Sequence, residues 1–341
     1  MNSRPRLKRA ATMSDIARQA GVSQTTVSFV LNNHASSANI SAETKERILE
    51  TAKKLAYRPN QAAKGLRTNQ THTIGFVADE ITTTPYAVNI IKGAQDVAWA
   101  HGKLLLIVNI GSDTSIKETA IEMMLERQVE GIIYAAMYHH EVALPANIYE
   151  GPAVLLDCFC ADRSLPSVVP DEVQGGRTAT EVLLQKGHRR IGFINELNPI
   201  PASSGRLEGY KQALQSYEIP FDESLVRMHH CNATGGYQGT LELMQLPEPP
   251  TAIFCFSDFA AMGAYDALRT LGISIPGEVA VMGFDNHELI AAQLTPPLSS
   301  VGLPHYEMGK WAVEYLLEYS GEPLPPLQHT LSCPYIERQS M

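Results

Sequence analysis

The chain has 341 residues, a formal charge of -9 from 27 Lys and Arg against 36 Asp and Glu, and 44% hydrophobic residues. That apolar content excludes a disordered chain, and no excess of Gly, Pro or Cys suggests collagen or a disulfide scaffold. The longest purely aliphatic run, residues 104–108, is too short for a membrane-spanning helix.

Arg4, Arg6, Lys8 and Arg9 open the chain on a basic note, but Thr12, Ser14, Asp15, Arg18 and Gln19 follow where a signal peptide would be apolar. The expected location is therefore the cytoplasm, and the five cysteines from Cys158 to Cys333 fit reduced, buried thiols. The acidic total hides an asymmetry. Residues 1–72 hold twelve Lys and Arg against four Asp and Glu, a net of +8, which leaves -17 on the rest. A basic segment on an acidic body is the pattern of a small polyanion-binding module carried by a soluble scaffold.

Residues 12–57 read as three short helices. Thr12 caps the first, Asp15 favours its positive end, Met13, Ile16, Ala17 and Ala20 form its apolar stripe, and Gly21 stops it. Ser23 caps a second helix in which Val27, Val30 and Leu31 face inward while Gln24, Thr25, Ser28 and Phe29 project. Ser41 caps a third, whose Ile48, Ala52 and Leu55 complete a small core. Two helices joined by a tight turn, with short polar groups opening the second, are the layout of a helix-turn-helix. In the linker, residues 58–72, Pro59 ends the preceding helix and Asn60 can cap a short one with Ala62, Ala63 and Leu66 on one face.

From residue 73 the pattern becomes strand then helix, repeated. Strands are expected at 73–78, 104–109, 131–135, 153–157, 190–195, 251–257 and 279–284, and helices at 87–100, 116–127, 175–186, 207–216, 259–271 and 307–319. Short apolar runs separated by amphipathic helices predict parallel sheets covered on both faces, and such folds bind ligands at the carboxyl ends of their strands. Asp79, Asp157, Ser257, Asp258, Asp285 and Asn286 each close an apolar strand; Asp258 can equally cap the following helix. No phosphate-binding loop, dinucleotide fingerprint, nucleophile elbow or HExxH metal motif supports an enzyme. Cys158 and Cys160 lack a second pair to complete a metal site, so no metal and no cofactor are expected.

The segments "TMSDIARQAGVSQTTVSFVLNN" (12–33) and "SAETKERILETAKKLAYRPNQAAKGLR" (41–67) resemble the N-terminal domain of the LacI/GalR family of bacterial transcription regulators. The resemblance extends through "GRLEGYKQAL" (205–214), "AIFCFSDFAAMGA" (252–264), "VAVMGFDN" (279–286) and "PPLSSVGLPHYEMG" (296–309), and so covers essentially the whole chain. It implies an α/β protein: an N-terminal three-helix helix-turn-helix domain (1–58), a hinge helix (59–72), and a periplasmic-binding-protein-like core (73–341). That core is expected to comprise two doubly wound parallel-sheet subdomains, one of about 73–169 and 301–330, the other of about 170–300 and 331–341.

The resemblance further implies a homodimer that binds a palindromic double-stranded DNA operator, with no membrane partner. Its DNA-binding positions correspond here to Thr12, Ser23, Gln24, Thr25, Thr26, Ser28, Phe29, Asn32, Asn60, Ala63 and Leu66, the last as a minor-groove wedge. Phe29 stands where many members have Arg, which replaces bidentate guanine pairing with apolar contact. Effector positions correspond to Asp79, Tyr86, Asp157, Arg206, Ser257, Asp258, Asp285 and Leu303. Leu303 replaces a polar Gln common in the family, and Cys231 an aromatic residue found in some members. Several carboxylates with one Arg favour a sugar-like or nucleoside-like effector, although Arg206 alone would equally accept a carboxylate or phosphate. A solute-binding receptor of a sugar transport system would share the body; the basic head and the missing signal peptide separate the two readings.

Overall fold

The computed structural model describes residues 11–32, 34–58, 71–85, 87–111, 113–319, 321–322 and 325–341. Asn60, Ala63, Leu66 and Tyr86 lie outside the described residues. The chain divides into two compact units, Met1–Thr71 and His72–Met341.

The first unit contains helices α1 (Met13–Ala20), α2 (Gln24–Leu31) and α3 (Ala42–Lys54). Each begins where its capping side chain dictates. Thr12 and Asp15 form a reciprocal capping box, Ser23 accepts from Thr26 N at 3.1 Å, and Ser41 accepts from Thr44 N at 3.3 Å. Gly21 ends α1 at φ +67°, a conformation that a residue without Cβ adopts freely. Ile16, Ala17, Ala20, Val27, Ile48 and Ala52 form the buried core, with Val30 and Leu31 packed at its edge.

The second unit holds two six-stranded sheets. The first takes β1 (Thr73–Ala78), β2 (Leu104–Asn109), β3 (Ile132–Glu141), β4 (Ala153–Phe159), β5 (Ser167–Pro170) and, returning late in the chain, β11 (Gln328–Leu331), all parallel. The second takes β6 (Ile191–Glu196), β7 (Val226–His229), β8 (Ala252–Cys255), β9 (Ala280–Asp285) and β10 (Ser299–Gly302), with a short antiparallel edge strand β12 (Tyr335–Ile336). Both sheets are covered on two faces. Helices α4 (Ala87–Ala100) and α11 (His305–Leu317) pack one face of the first sheet, and α5 (Lys117–Glu126) the other. On the second sheet, α6 (Glu172–Gln185) and α7 (Pro201–Ser216) cover one face, and α8 (Ala233–Met244) and α9 (Asp258–Leu271) the other.

Every strand and helix expected in the body occurs, with ends shifted by a few residues. The longest extensions, six residues each, are β3, which runs on to Glu141, and α7, which starts at Pro201 because proline suits the first helical position. Beyond the expected elements stand β5, β7, β10, β11, β12, α8 and the four-residue helix α10 (Glu288–Ala291). Three glycines in α8 (ATGGYQGTLELM) mask its helical period, yet Gly235, Gly236 and Gly239 are among its buried residues. The chain crosses between the two lobes three times: after Pro170, after Gly302 and after Leu331. The expected boundaries at 300 and 330 therefore need correction, because Val301 and Gly302 are hydrogen-bonded into β9 and Leu331 pairs with Pro170 in the first sheet.

Candidate DNA-reading helix and ligand cleft

In the first unit, α2 turns Gln24 and Thr25 to solvent while Val27 is fully buried beneath them. The remaining polar groups are held by near neighbours. Thr26 Oγ1 lies 2.8 Å from Ser23 Oγ, and Asn32 Nδ2 donates to Ser28 O at 2.9 Å and Ser28 Oγ at 3.2 Å. Thr12 both donates to Asp15 Oδ2, at 2.7 Å, and accepts from Asp15 N, so its hydroxyl serves the helix cap. Phe29 does not project alone. Its ring stacks on His34, with centroids 4.8 Å apart and planes at 18°, and His34 Nδ1 accepts from Ser36 N at 3.1 Å. That bond leaves the imidazole's other nitrogen, Nε2, facing away from the local backbone contact. Sequence reasoning missed His34.

In the second unit, a cavity with about 480 Å³ of empty space opens between the lobes where strands end. Asp157 comes from β4, Glu172 from the first turn of α6, Arg206 from α7, Asp285 from the end of β9, and Leu303 and His305 from the second crossing. Arg206 sits at the centre, 3% exposed, stacked on Phe284 at 3.6 Å and Phe256 at 4.1 Å. Its Nε donates to Glu172 Oε2 at 2.7 Å, Nη2 reaches Glu172 Oε1 at 3.4 Å, and Nη1 donates to Phe256 O. Asp285 Oδ1 lies 3.8 Å from Nη1. A guanidinium has five N–H groups, so one on each terminal nitrogen stays outside these three bonds. Burial works against the charge of Arg206, but Glu172 and Asp285 outweigh it and hold the group protonated.

Glu172 was invisible in the sequence reading, and the pairing depends on close helix contact. A Cβ at Gly209 would stand 2.1 Å from Val173 O, and one at Gly176 would stand 2.4 Å from Arg206 O. Glycine at both positions lets α6 and α7 approach until the Glu172 carboxylate reaches the guanidinium. Gly176 in one helix against Gly205 and Gly209 in the other was the available signal.

Asp157 has a left-handed backbone, φ +57°, and is 6% exposed. Its Oδ1 has no hydrogen-bond partner among the described residues, and burial, with the nearby Glu172 charge, drives its pKa well above the usual carboxylate range. A buried polar atom left unpaired is costly, and one lining a cleft is placed to meet a ligand donor. His305, buried beside Arg206, is pushed down to about 4 by that burial and by the neighbouring positive charge, so it is neutral near pH 7. Burial likewise lifts the Cys231 thiol to about 12.

Other expected effector residues are placed differently. Ser257 lines the cavity, but its hydroxyl donates to Cys231 O at 2.8 Å and accepts from Ala260 N at 3.0 Å, capping α9. Asp258 is a correction. It is fully buried, accepts from His287 N at 2.6 Å and Ser300 Oγ at 2.7 Å, and does not line the cleft; it clamps β10 to the loop after β9. Asp79 lines an adjoining cavity with Lys117 and Tyr134, and accepts from Met137 N at 2.8 Å.

A capped reading helix in one unit and a two-lobed cleft between parallel sheets in the other define the class: a DNA-binding regulator with a sugar-binding type of core. Residues 12–60 match the family model "Bacterial regulatory proteins, lacI family", and residues 71–323 match "Periplasmic binding proteins and sugar binding domain of LacI family". The chain belongs to the LacI family. It is 32% identical to the ribose operon repressor of Haemophilus influenzae over 311 residues, 90% of this chain and 91% of that one. It is 31% identical to the transcriptional repressor CytR of Escherichia coli over 336 residues, 97% and 96% of the two chains. Among solved structures, a LacI-family regulator from Rhizobium etli shares 31% identity at TM-score 0.71, covering 79% of this chain and 98% of that one. The lac repressor dimer bound to operator and the anti-inducer ONPF shares the fold, with TM-score 0.81 at 24% identity over 97% and 99% of the chains. The relatives are transcriptional repressors, and this protein is a regulator of that kind, not an enzyme.

Proposed function

We propose that the protein is a cytoplasmic repressor that binds a palindromic operator as a homodimer and releases or tightens on it when a small polyhydroxylated effector fills the cleft. The observation that carries the effector reading is the cluster of Arg206, Asp157 and Asp285 at strand ends, with one buried Asp157 oxygen unpaired and two guanidinium N–H groups in reserve. Carboxylate acceptors around one donor fit ligand hydroxyls, each of which can give and take a hydrogen bond. All three crossings lie between the same two lobes, so a ligand that bridges them favours the closed arrangement. To act on DNA it must bind the two arrangements unequally. Effector and operator then alter each other's affinity by the same factor.

On the head, Gln24 and Thr25 read base edges, Ser23, Thr26 and Ser28 lie near phosphates, and the Phe29 and His34 stack offers apolar contact to a thymine methyl. By family likeness Leu66 wedges the minor groove, and Leu66→Ala is expected to weaken specific binding much more than non-specific binding. The test is a gel shift on genomic fragments at two salt concentrations, followed by a thermal-shift screen with sugars, nucleosides and sugar phosphates. Sequence-selective binding with a steep negative salt slope and a ligand-dependent rise in melting temperature are expected. A folded dimer that selects no DNA sequence refutes the operator; a screen in which no polyol raises the melting temperature refutes the effector class.

A further inference from the structure

Three residues lining the cleft have positive φ, Asp157, Asp285 and Tyr138, and Tyr138 is the bulky one among them. It sits in β3 where the register with β4 shifts between Ala135 and His140, and its φ is +64°. A bulky residue in the left-handed region is an outlier that the surrounding structure must impose, and such outliers gather at ligand clamps. Here the irregularity swings the ring out of its own sheet: Tyr138 is 44% exposed and lines the inner cavity and both cavities that flank it. Although it belongs to the first lobe, it faces Cys231, Glu196 and Asp285 of the second, and partial burial with those groups pushes its phenol up to about 12.

The flanking cavity on the second-lobe side holds about 1040 Å³ of open space, more than the inner one. Rings line it from both lobes: Tyr138 from one, His230 and Phe259 from the other. Its buried carboxylate is already satisfied. Glu196 accepts from Asn198 N at 2.9 Å, Asn198 Nδ2 at 2.8 Å and Cys231 N at 2.7 Å, so it calls for no cation. With Glu196, Asp285 and Glu80 around Tyr138, an anionic group would be repelled.

Resting on the reading of the inner cleft as a polyol site, we propose that the effector is a glycoside: a sugar held at Asp157, Arg206 and Asp285 whose anomeric substituent is an uncharged ring lying against Tyr138. Both nucleosides and disaccharides have this chemistry. Tyr138 is then the residue that separates a glycoside from the free sugar.

The full-length protein is titrated calorimetrically with D-ribose, D-glucose, adenosine, cytidine, cellobiose and ribose 5-phosphate, and the titrations are repeated on Tyr138→Ala and Tyr138→Phe. At least one glycoside is expected to bind about ten-fold tighter than its own free sugar, and ribose 5-phosphate no tighter than ribose. Tyr138→Ala removes that ten-fold gain while free-sugar affinity changes less than two-fold, and Tyr138→Phe keeps the gain. Whether the base or the second sugar supplies the ring is read from which of the nucleosides or cellobiose shows it. A free sugar that matches every glycoside, or a Tyr138→Ala variant that leaves the gain intact or weakens sugar and glycoside alike, overturns the role of Tyr138 while sparing the polyol site. If no sugar and no glycoside binds, the polyol site itself falls and this inference with it.

Discussion

In the head, the polar groups around the reading helix are held by partners three or four residues away: Thr26 N on Ser23, Asn32 on Ser28, Asp15 on Thr12. In the cleft, Arg206 is held by Glu172, 34 residues away, and by Phe256, 50 residues away, while Asp258 is tied to Ser300, 42 residues away. The head's surface geometry forms as soon as its helices form. The cleft exists only when both sheets and all three crossings are in place. A perturbation of the cleft should therefore register as loss of core stability, and one in the head as a change in local helix order or in base preference.

The largest effect is expected at Glu172. Removing one partner of a buried ion pair strands the other charge, which costs about 3–5 kcal/mol, whereas replacing both by apolar groups is often neutral. Glu172→Ala should lower core stability by that amount in urea denaturation, and the double variant Glu172→Leu with Arg206→Met should recover most of it. Arg206 is 3% and Glu172 6% exposed, so solvent offers little relief. A loss below about 1 kcal/mol for Glu172→Ala would show that the pair is not energetically buried.

Asp258 comes next, with a dependence on pH. Its carboxyl is raised from 3.8 to about 7, chiefly by burial and in spite of the bonds from Ser300 and His287 N. The folded state then binds more protons than the unfolded state between those values, so stability from this residue is present below about pH 4 and is lost as pH rises toward 7. Asp258→Asn should flatten that slope and, by turning an amide donor toward buried donors, cost about 1–3 kcal/mol at low pH. His305 works in the opposite sense: with its pKa lowered from 6.5 to about 4, it withdraws stability as pH falls through that window. Urea titrations of wild type and Asp258→Asn at pH 4, 5.5 and 7 isolate the Asp258 part; an unchanged slope would contradict its raised pKa.

The same contrast of range explains what the sequence revealed. The head was legible almost to the residue, because caps, a stop glycine and an apolar stripe act within one helical turn: Thr12, Gly21, Ser23 and Ser41 each mark a boundary that the structure keeps. In the core, strands rich in branched residues were legible, but α8 was hidden by its glycines, of which Gly236 packs against α9 and Gly235 and Gly239 against residues 194, 229 and 230. Strand-end carboxylates pointed to the cleft, and Asp157 and Asp285 do line it. Asp258 at a strand end reads the same in sequence, yet it points to β10, because only the tertiary fold decides which side of a strand end faces the crevice. Glu172 and Tyr138 carried no local signal: one depends on two helices meeting at glycines, the other on a register shift between neighbouring strands.

Base preference sharpens the comparison from the head's side. Phe29 stacked on His34 presents ring edges where an Arg would present a bidentate donor. Phe29→Arg should introduce a preference for guanine at the base pair it faces, worth about 1–3 kcal/mol in selection from a randomised operator library, with no change in core stability. His34→Ala should loosen Phe29 and broaden selection at the same base pair. A variant library with unaltered preference at every position would place Phe29 outside the groove.

The smallest effect is expected at Thr12, and it is the cleanest measure of how local the head is. Thr12 caps α1 through a reciprocal box with Asp15, and its neighbours in that network are all within four residues. Thr12→Ala removes the side-chain half of the box and should cost about 1 kcal/mol of head stability. Thr12→Ser, which keeps the hydroxyl, should cost less. Because no partner of Thr12 among the described residues lies in the core, the urea midpoint of the core should not move, and hydrogen exchange of the α1 amides should quicken while that of α6 and α7 stays constant. Equal quickening in α1 and α6 would mean that the two units open together, and the division between a locally built head and a long-range cleft would fail.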